Sequence, residues 1–345
     1  MGNFFSLVFV ENTKLWKRLS TWLMPLILIA LVFGLCGLMK LQSSTIAAYK
    51  AAQNGTSQAA LPGGWKSALE AQDKSMQASI DAAEKSSRQS DKNTLDQTKM
   101  QLAENQYYLK HNTKPVDLNS DGTPDTKAPQ NFWDNVLGAG VSSLAALFAI
   151  IACTALVAGE FSEGTMKTMI PRPFSRWQIL TAKLLVVVGY AVLLTVLSTV
   201  TVLAATAAFF GTGGAGEPVL LWLGGSIVPT PGAAALLLVA LLELLSTLVY
   251  VFLTFALSAI TRSRAFATGL SIFLMLGGSF VLFLAYNFNW GKLIFFADTN
   301  FAAFVKTGAP FYGITLGLAL LICGLYSVGF LVSAYITFNK RDIAG

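Results

Sequence analysis

The residues best suited to chemistry lie between Gly159 and Lys183. Glu160 and Glu163 stand at the start, Gly164 permits a turn, and Thr165 and Lys167 follow. Pro171 and Pro173 then break any helix, because proline lacks a backbone donor and its ring clashes with the preceding turn. Arg172, Ser175 and Arg176 follow, just before apolar periodicity resumes at Trp177, Ile179 and Leu180. Carboxylates, a rigid corner and guanidinium groups are recognition chemistry. The segment reads as a short amphipathic helix, a corner and a helix restart, where a soluble partner could dock and push on both flanking apolar runs. Membrane topology and interface solvation would explain the same charges one at a time.

Glu243 is the other exceptional residue, midway along the apolar run Ala233–Ile260. A charge at that depth is costly unless it is paired or wetted. Two readings stand: a polar lining of a translocation path or ion-linked site, and a protonated carboxyl bonded to Ser246, Thr247 or a neighbouring helix. Asp117, Asn119, Asp121 and Asp125 around Gly122 have the oxygen spacing of a calcium loop. The twelfth position is Ala128 rather than a bidentate glutamate, and Pro124 interrupts the pattern, so a simple turn fits better. Cys36, Cys153 and Cys323 fall in apolar runs and read as small fillers, and the lone His111 makes a zinc site improbable. The chain has no G-x-x-x-x-G-K-[ST] phosphate loop. It is therefore expected to be no enzyme and to carry no cofactor of its own.

What positions these groups is a membrane-embedded frame. The chain is 54% apolar and 12% charged, whereas a soluble domain carries about 25% charged residues. Its net charge of +6 does not point to nucleic acid, because the basic residues sit at the ends of apolar runs. The expected fold class is all-α integral membrane, with spans Trp22–Met39, Val136–Ala158, Ile179–Phe209, Ala233–Ile260, Phe266–Tyr286 and Tyr312–Phe338. The first run is longer than a secretion signal and has no cleavage site after it, so it is expected to remain. Lys14, Lys17, Arg18, Lys167, Arg172, Arg176, Lys183, Arg262, Arg264, Lys340 and Arg341 fall on one side, against Lys292 and Lys306 on the other. That bias places both termini in the cytoplasm.

Three parts are expected: residues 1–40 with an N-terminal interfacial helix and the first span, an external insertion over 41–131, and a membrane domain over 132–345. Over Asn3–Arg18, aromatic and aliphatic residues alternate with Glu11, Asn12, Lys14 and Lys17, which suits a helix lying in the membrane interface. Within the insertion, Lys66–Asn112 lacks Gly and Pro and favours one long helix or a hairpin. It is expected to pack on itself, on a second copy or on the membrane exit, with a flexible decoration as the alternative. Asn287–Pro310 mixes aromatics with charges and suits short helices dipping into the outer leaflet. Gly313 and Gly317 form a G-x-x-x-G pair that allows close helix approach.

The spacing Glu160-x-x-Glu163-Gly164-Thr165-x-Lys167, then Arg172-Pro173-x-Ser175-Arg176-x-x-Ile179-Leu180-x-x-Lys183, resembles the permease subunits of type-2 ABC exporters. Glu11, Lys14 and Leu15 near the start and the stretch from Thr337 to Ile343 extend the resemblance, which covers most of the chain outside about 42–131. It implies six spans, re-entrant helices near 287–310 and a coupling helix contacting a separate ATPase. Glu160, Glu163, Gly164 and Thr165 map to the first half of that helix, Lys167 follows, and Arg172, Pro173, Ser175 and Arg176 map to the second. ATP and magnesium would be held by that ABC ATPase partner. A second permease copy or a related chain would complete the pore in a bacterial cell membrane. An amphipathic or peptide antibiotic-like cargo is the expectation. Two other classes compete: an ion-coupled secondary transporter or channel using Glu243, and a non-transporting membrane sensor whose external domain binds a ligand.

Overall fold

The computed structural model describes residues 4–53, 64–115, 118, 120, 132–139, 142–162, 174–295 and 299–340. Apolar sequence in a lipid environment must satisfy its backbone internally, and these residues are mostly helical. In chain order the helices are α1 (Phe4–Trp16), α2 (Leu19–Gln53), α3 (Gly64–Lys85), α4 (Gln89–Asn93) and α5 (Leu95–His111). Then come α6 (Phe132–Gly138), α7 (Ser142–Ser162), α8 (Arg176–Phe210), α9 (Gly232–Thr261), α10 (Arg264–Ala285), α11 (Phe301–Lys306) and α12 (Leu316–Lys340). Strands β1 (Val219–Leu223) and β2 (Ser226–Thr230) lie between α8 and α9, and a 3-10 turn spans Asn289–Leu293.

Among the described residues, five stretches are long and apolar enough to cross a membrane: Leu19–Gln42, Phe132–Glu160, Arg176–Phe210, Gly232–Thr261 and Leu316–Lys340. The chain is a multi-pass helical membrane protein. The expected fifth span coincides with α10, whose apolar stretch, Arg264–Gly278, is shorter than the other five. Two boundaries also differ from expectation. The second span is described as two helices, α6 ending at Gly138 and α7 beginning at Ser142. The last span starts at Leu316 rather than Tyr312, because Gly313 takes a left-handed φ of 78° and turns the chain before the helix.

Helix α9 is the hub, packing on α7, α8, α10, α11 and α12. Outward-facing apolar side chains such as Leu237, Phe273, Phe280 and Phe283 leave a bare hydrocarbon surface that a bilayer would solvate. At 35 residues, α8 is roughly 52 Å long, well beyond a hydrocarbon core of about 30 Å.

Outside the spans, α3 and α5 pack as a helical hairpin with Leu69, Ile80, Leu95 and Met100 buried. Glu84 pairs with Lys99 at 2.7 Å, and Asn105 Nδ2 donates to Asp73 at 2.9 Å. An all-α expectation missed the β-hairpin. Its two-residue turn is Gly224-Gly225 with φ of 60° and 86°, the sign pattern of a turn that matches strand twist.

Candidate functional site

Helix α1 is packed on the bundle along one face. Leu7, Glu11 and Leu15 recur at i, i+4 along one face of α1, and all three are buried against the bundle. A carboxylate on that stripe must find a cation. It finds Lys183, two turns into α8, whose Nζ lies 2.7 Å from Glu11 Oε2; both side chains are fully buried. Lys183 Nζ also lies 2.6 Å from Glu160 Oε2 near the end of α7 and donates to the Leu156 carbonyl at 3.2 Å.

Lys14 closes the figure. Its Nζ donates to Glu11 Oε1 and Glu160 Oε1, both at 2.8 Å. Each ammonium sits between two carboxylates, and each carboxylate between two ammoniums, so the four charges form a neutral ring. Burial works against the Lys14 ammonium, but the hydrogen bonds and charges of Glu11 and Glu160 outweigh it and hold its pKa above the ordinary lysine value. Nearby bonds fix the elbow between α1 and α2. Arg18 Nη1 donates to the Ala155 carbonyl at 2.7 Å, Thr21 Oγ1 to Leu15 O at 2.6 Å, and the Tyr190 hydroxyl to Thr21 O at 2.9 Å. Helix α1, the end of α7 and the start of α8 are thereby one clamped unit.

This changes the expected site. Glu160 was expected to face a docking partner; it is 4% exposed and turned inward onto Lys14 and Lys183. Glu11 was expected on a polar outer face and is fully buried for the same reason. Glu163, Gly164, Thr165, Lys167, Arg172 and Pro173 lie outside the described residues. Ser175 precedes α8, where its N–H donates to Gln178 Oε1 at 3.0 Å, one half of a capping box. Arg176 opens α8 and donates through Nη1 to the Asn339 carbonyl at 3.3 Å, reaching the last turn of α12. The structure therefore joins Glu160 with Lys183 and Arg176 with α12. Glu11, Lys14 and Lys183 were read as interface and topology markers, not as partners of Glu160. Opposite charges at one end of successive apolar runs were the available signal.

Glu243 sits on a second polar stripe. With Ser246 and Tyr250 it occupies the face of α9 that receives α11 and the residues before it. The Tyr250 hydroxyl and Thr299 Oγ1 are 3.0 Å apart, and Phe301 N–H donates to Ser246 Oγ at 3.4 Å. Ser246 Oγ itself donates to Leu242 O, so neither bond satisfies the Glu243 carboxyl as expected. The charge acting on Glu243 is that of Lys306, whose ammonium donates to the Leu137 carbonyl at the broken end of α6. Burial lowers the Lys306 pKa, against the pull of Glu243. Beside Glu243 lies a cavity of about 20 Å³, room for a water or so, lined also by Ser198, Thr199 and Val239.

Asp117, Asn119, Asp121 and Asp125, the candidate calcium ligands, lie outside the described residues. Among the described residues no group of three His, Cys, Asp or Glu could hold a metal ion.

Comparison with known proteins gives one family and one relative. The family model described as "Protein of unknown function (DUF2705)" matches residues 116–344. The "Uncharacterized protein YhcI" of Bacillus subtilis (strain 168) is 30% identical over 343 residues, covering 98% of this chain and 99% of that one. The relative thus spans α1 and the insertion as well as the membrane domain that the family model matches. The family model covers more than half of the chain, which therefore belongs to the DUF2705 family.

Proposed function

We propose that this chain is the membrane-spanning permease subunit of an ATP-driven exporter of the ABC type, coupled through residues 159–183 to a separate ATPase. The observation that carries the proposal is the closed ring of Glu11, Lys14, Glu160 and Lys183. It clamps the helices that lead into and out of the 163–173 loop, and it fastens α1 to both. A force applied to the loop would move α1, α7 and α8 as a body instead of bending one helix. In this reading α10 is a sixth crossing, residues 299–306 are part of a re-entrant outer segment, and both termini are cytoplasmic. The pore would be completed by a second copy or a related permease in a bacterial cell membrane, and ATP with magnesium would bind only to the partner. An amphipathic or peptide antibiotic-like cargo suits the apolar lateral surface.

The test separates docking from folding. Glu163→Ala with Arg172→Ala changes the loop and leaves the ring intact. It should abolish recovery of a nucleotide-hydrolysing partner and ATP-linked transport, with membrane insertion unchanged. Full transport by the chain alone in ATP-free vesicles would defeat the proposal. A second reading, ion-coupled transport, draws on Glu243 and the small cavity beside it. Its signature would be substrate movement under an imposed ion gradient without nucleotide.

A further inference from the structure

The stretch from Asn93 to Asp96, where α4 hands over to α5, reaches three other parts of the chain. The Asn93 side chain uses both ends of its amide: Nδ2 donates to the Tyr286 carbonyl at 2.8 Å, and Oδ1 accepts from the Tyr312 N–H at 2.9 Å. Asn93 is itself buried. Tyr286 ends α10, and Tyr312 lies on the approach to α12. Three residues on, Asp96 Oδ2 accepts from the Ala309 N–H at 2.6 Å and from Trp222 Nε1 at 3.3 Å. Ala309 follows α11, and Trp222 belongs to β1 in the connection between α8 and α9. The fit is close: Gly308 takes a φ of +86°, and a Cβ placed there would come within 3.2 Å of the Asp96 carboxylate.

Three of the four bonds go to backbone groups at helix ends and connections, which lack the internal partners that a helix gives its own backbone. The insertion supplies those partners. The segment 299–312 is thus held on two sides, by the Ser246 and Tyr250 stripe of α9 and by Asn93 and Asp96 of the insertion. It cannot leave its place unless one set of contacts opens. Asp96 and Tyr286 are half-buried and Tyr312 is exposed, so once the buried Asn93 lets go these groups can bond to water, whereas groups within the bundle have no such substitute.

We propose that Asn93 and Asp96 form a latch by which the insertion holds the outer ends of the spans closed, and that opening this end requires its release. The contacts show only that these connections are held together; that a cargo leaves here rests on the transport reading above.

The test uses the full chain in vesicles of phosphatidylethanolamine and phosphatidylglycerol, with a membrane-impermeant maleimide added on the insertion side. Val239→Cys places a thiol beside the small cavity, roughly 10 Å along α9 from Gly232. Native Cys153, fully buried in α7, reports general loosening. Adding Asn93→Ala and Asp96→Ala to Val239→Cys should raise labelling at position 239 about tenfold or more while Cys153 stays protected. Trp222→Phe, which removes the indole donor together with part of a buried ring, and Gly308→Ala, which crowds Asp96, should each give a smaller rise. Unchanged labelling at position 239, or a parallel rise at Cys153, would overturn the latch. If the double variant does not reach the membrane, Asp96→Asn and Gly308→Ala carry the same comparison and the same two outcomes decide it. Labelling needs neither nucleotide nor cargo, so failure of the unaltered chain to recover any ATPase, with the labelling change intact, would defeat the transport reading alone.

Discussion

The two ends of this molecule are fastened by different chemistry. At the end bearing α1, four full charges close on one another, and two of them have no exposure at all. At the end bearing the insertion, Asn93 and Asp96 hold mostly backbone groups of the connecting segments. Charges removed from water have no cheap alternative partner, so the ring resists opening. At the opposite end Asn93 is buried, but Asp96 is half-buried and Tyr312 exposed, so opening there transfers some groups to water instead of stranding full charges. Under the proposed function, the first end would carry force and the second would let go.

Breaking the ring should give the largest effect. Lys183→Met leaves the Glu11 and Glu160 carboxylates facing each other with only Lys14 between them, a loss of about 3–5 kcal/mol. Thermal unfolding in detergent would show it as a large drop or as failure to accumulate. Combining Lys183→Met with Glu11→Gln should recover part of the loss, because a net-neutral set of charges returns. No recovery would mean that Lys183 acts mainly by packing and that the contrast between the two ends is weaker than drawn.

Next comes a site that involves no charge. A Cβ at Gly232 would stand 1.9 Å from Trp133, so Gly232→Ala must displace the indole that donates to Ala215 O. The expected cost is about 1–3 kcal/mol, read as a lower unfolding temperature. Asn93→Ala should cost about 1–2 kcal/mol by the same measurement, less than the ring variant if the two ends differ as argued.

Lys14 is one-third exposed, so Lys14→Ala should cost less than Lys183→Met and its effect should shrink at high salt. Its pKa is raised in the folded chain. Its stabilisation is therefore complete below the ordinary lysine value of 10.5 and lost as pH climbs through the higher folded value. An alkaline titration of unfolding should show this fall in the parent and a weaker one in Lys14→Ala. Smallest of all, Glu84→Gln in the hairpin removes a pair exposed on both sides, 43% and 51%, and should shift stability by about 0–1 kcal/mol. A larger loss would show that the insertion leans on surface charge more than on its buried contacts.

Much of the frame was legible in advance. Long uncharged runs dictate helices, and five of the six expected spans correspond to stretches fit to cross a membrane. The helical insertion was readable because Lys66–Asn112 holds no residue that breaks a helix, and its reversal at Ser86–Arg88 needed none. The β-hairpin has a local signal in Leu223-Gly-Gly-Ser226, between runs rich in Val, Leu, Ile and Trp, although such apolar runs suit membrane helices as well. The end of α6 at Gly138 was not legible, since glycine is frequent in membrane helices.

The candidate site divides along the same line. Sequence alone determined that Glu11, Lys14, Glu160 and Lys183 are charged and stand near the ends of apolar runs, because residue type and period are local properties. Only the tertiary structure decided that they face one another. Glu11 and Lys183 are 172 positions apart and Lys14 and Glu160 are 146 apart, and no local rule relates their directions. The packing of α1 into the notch between α7 and α8 turned four apparent surface charges into one buried ring. Two carboxylates that looked free for a partner or for water became bound within the chain, because a charge removed from water must be matched where it lies.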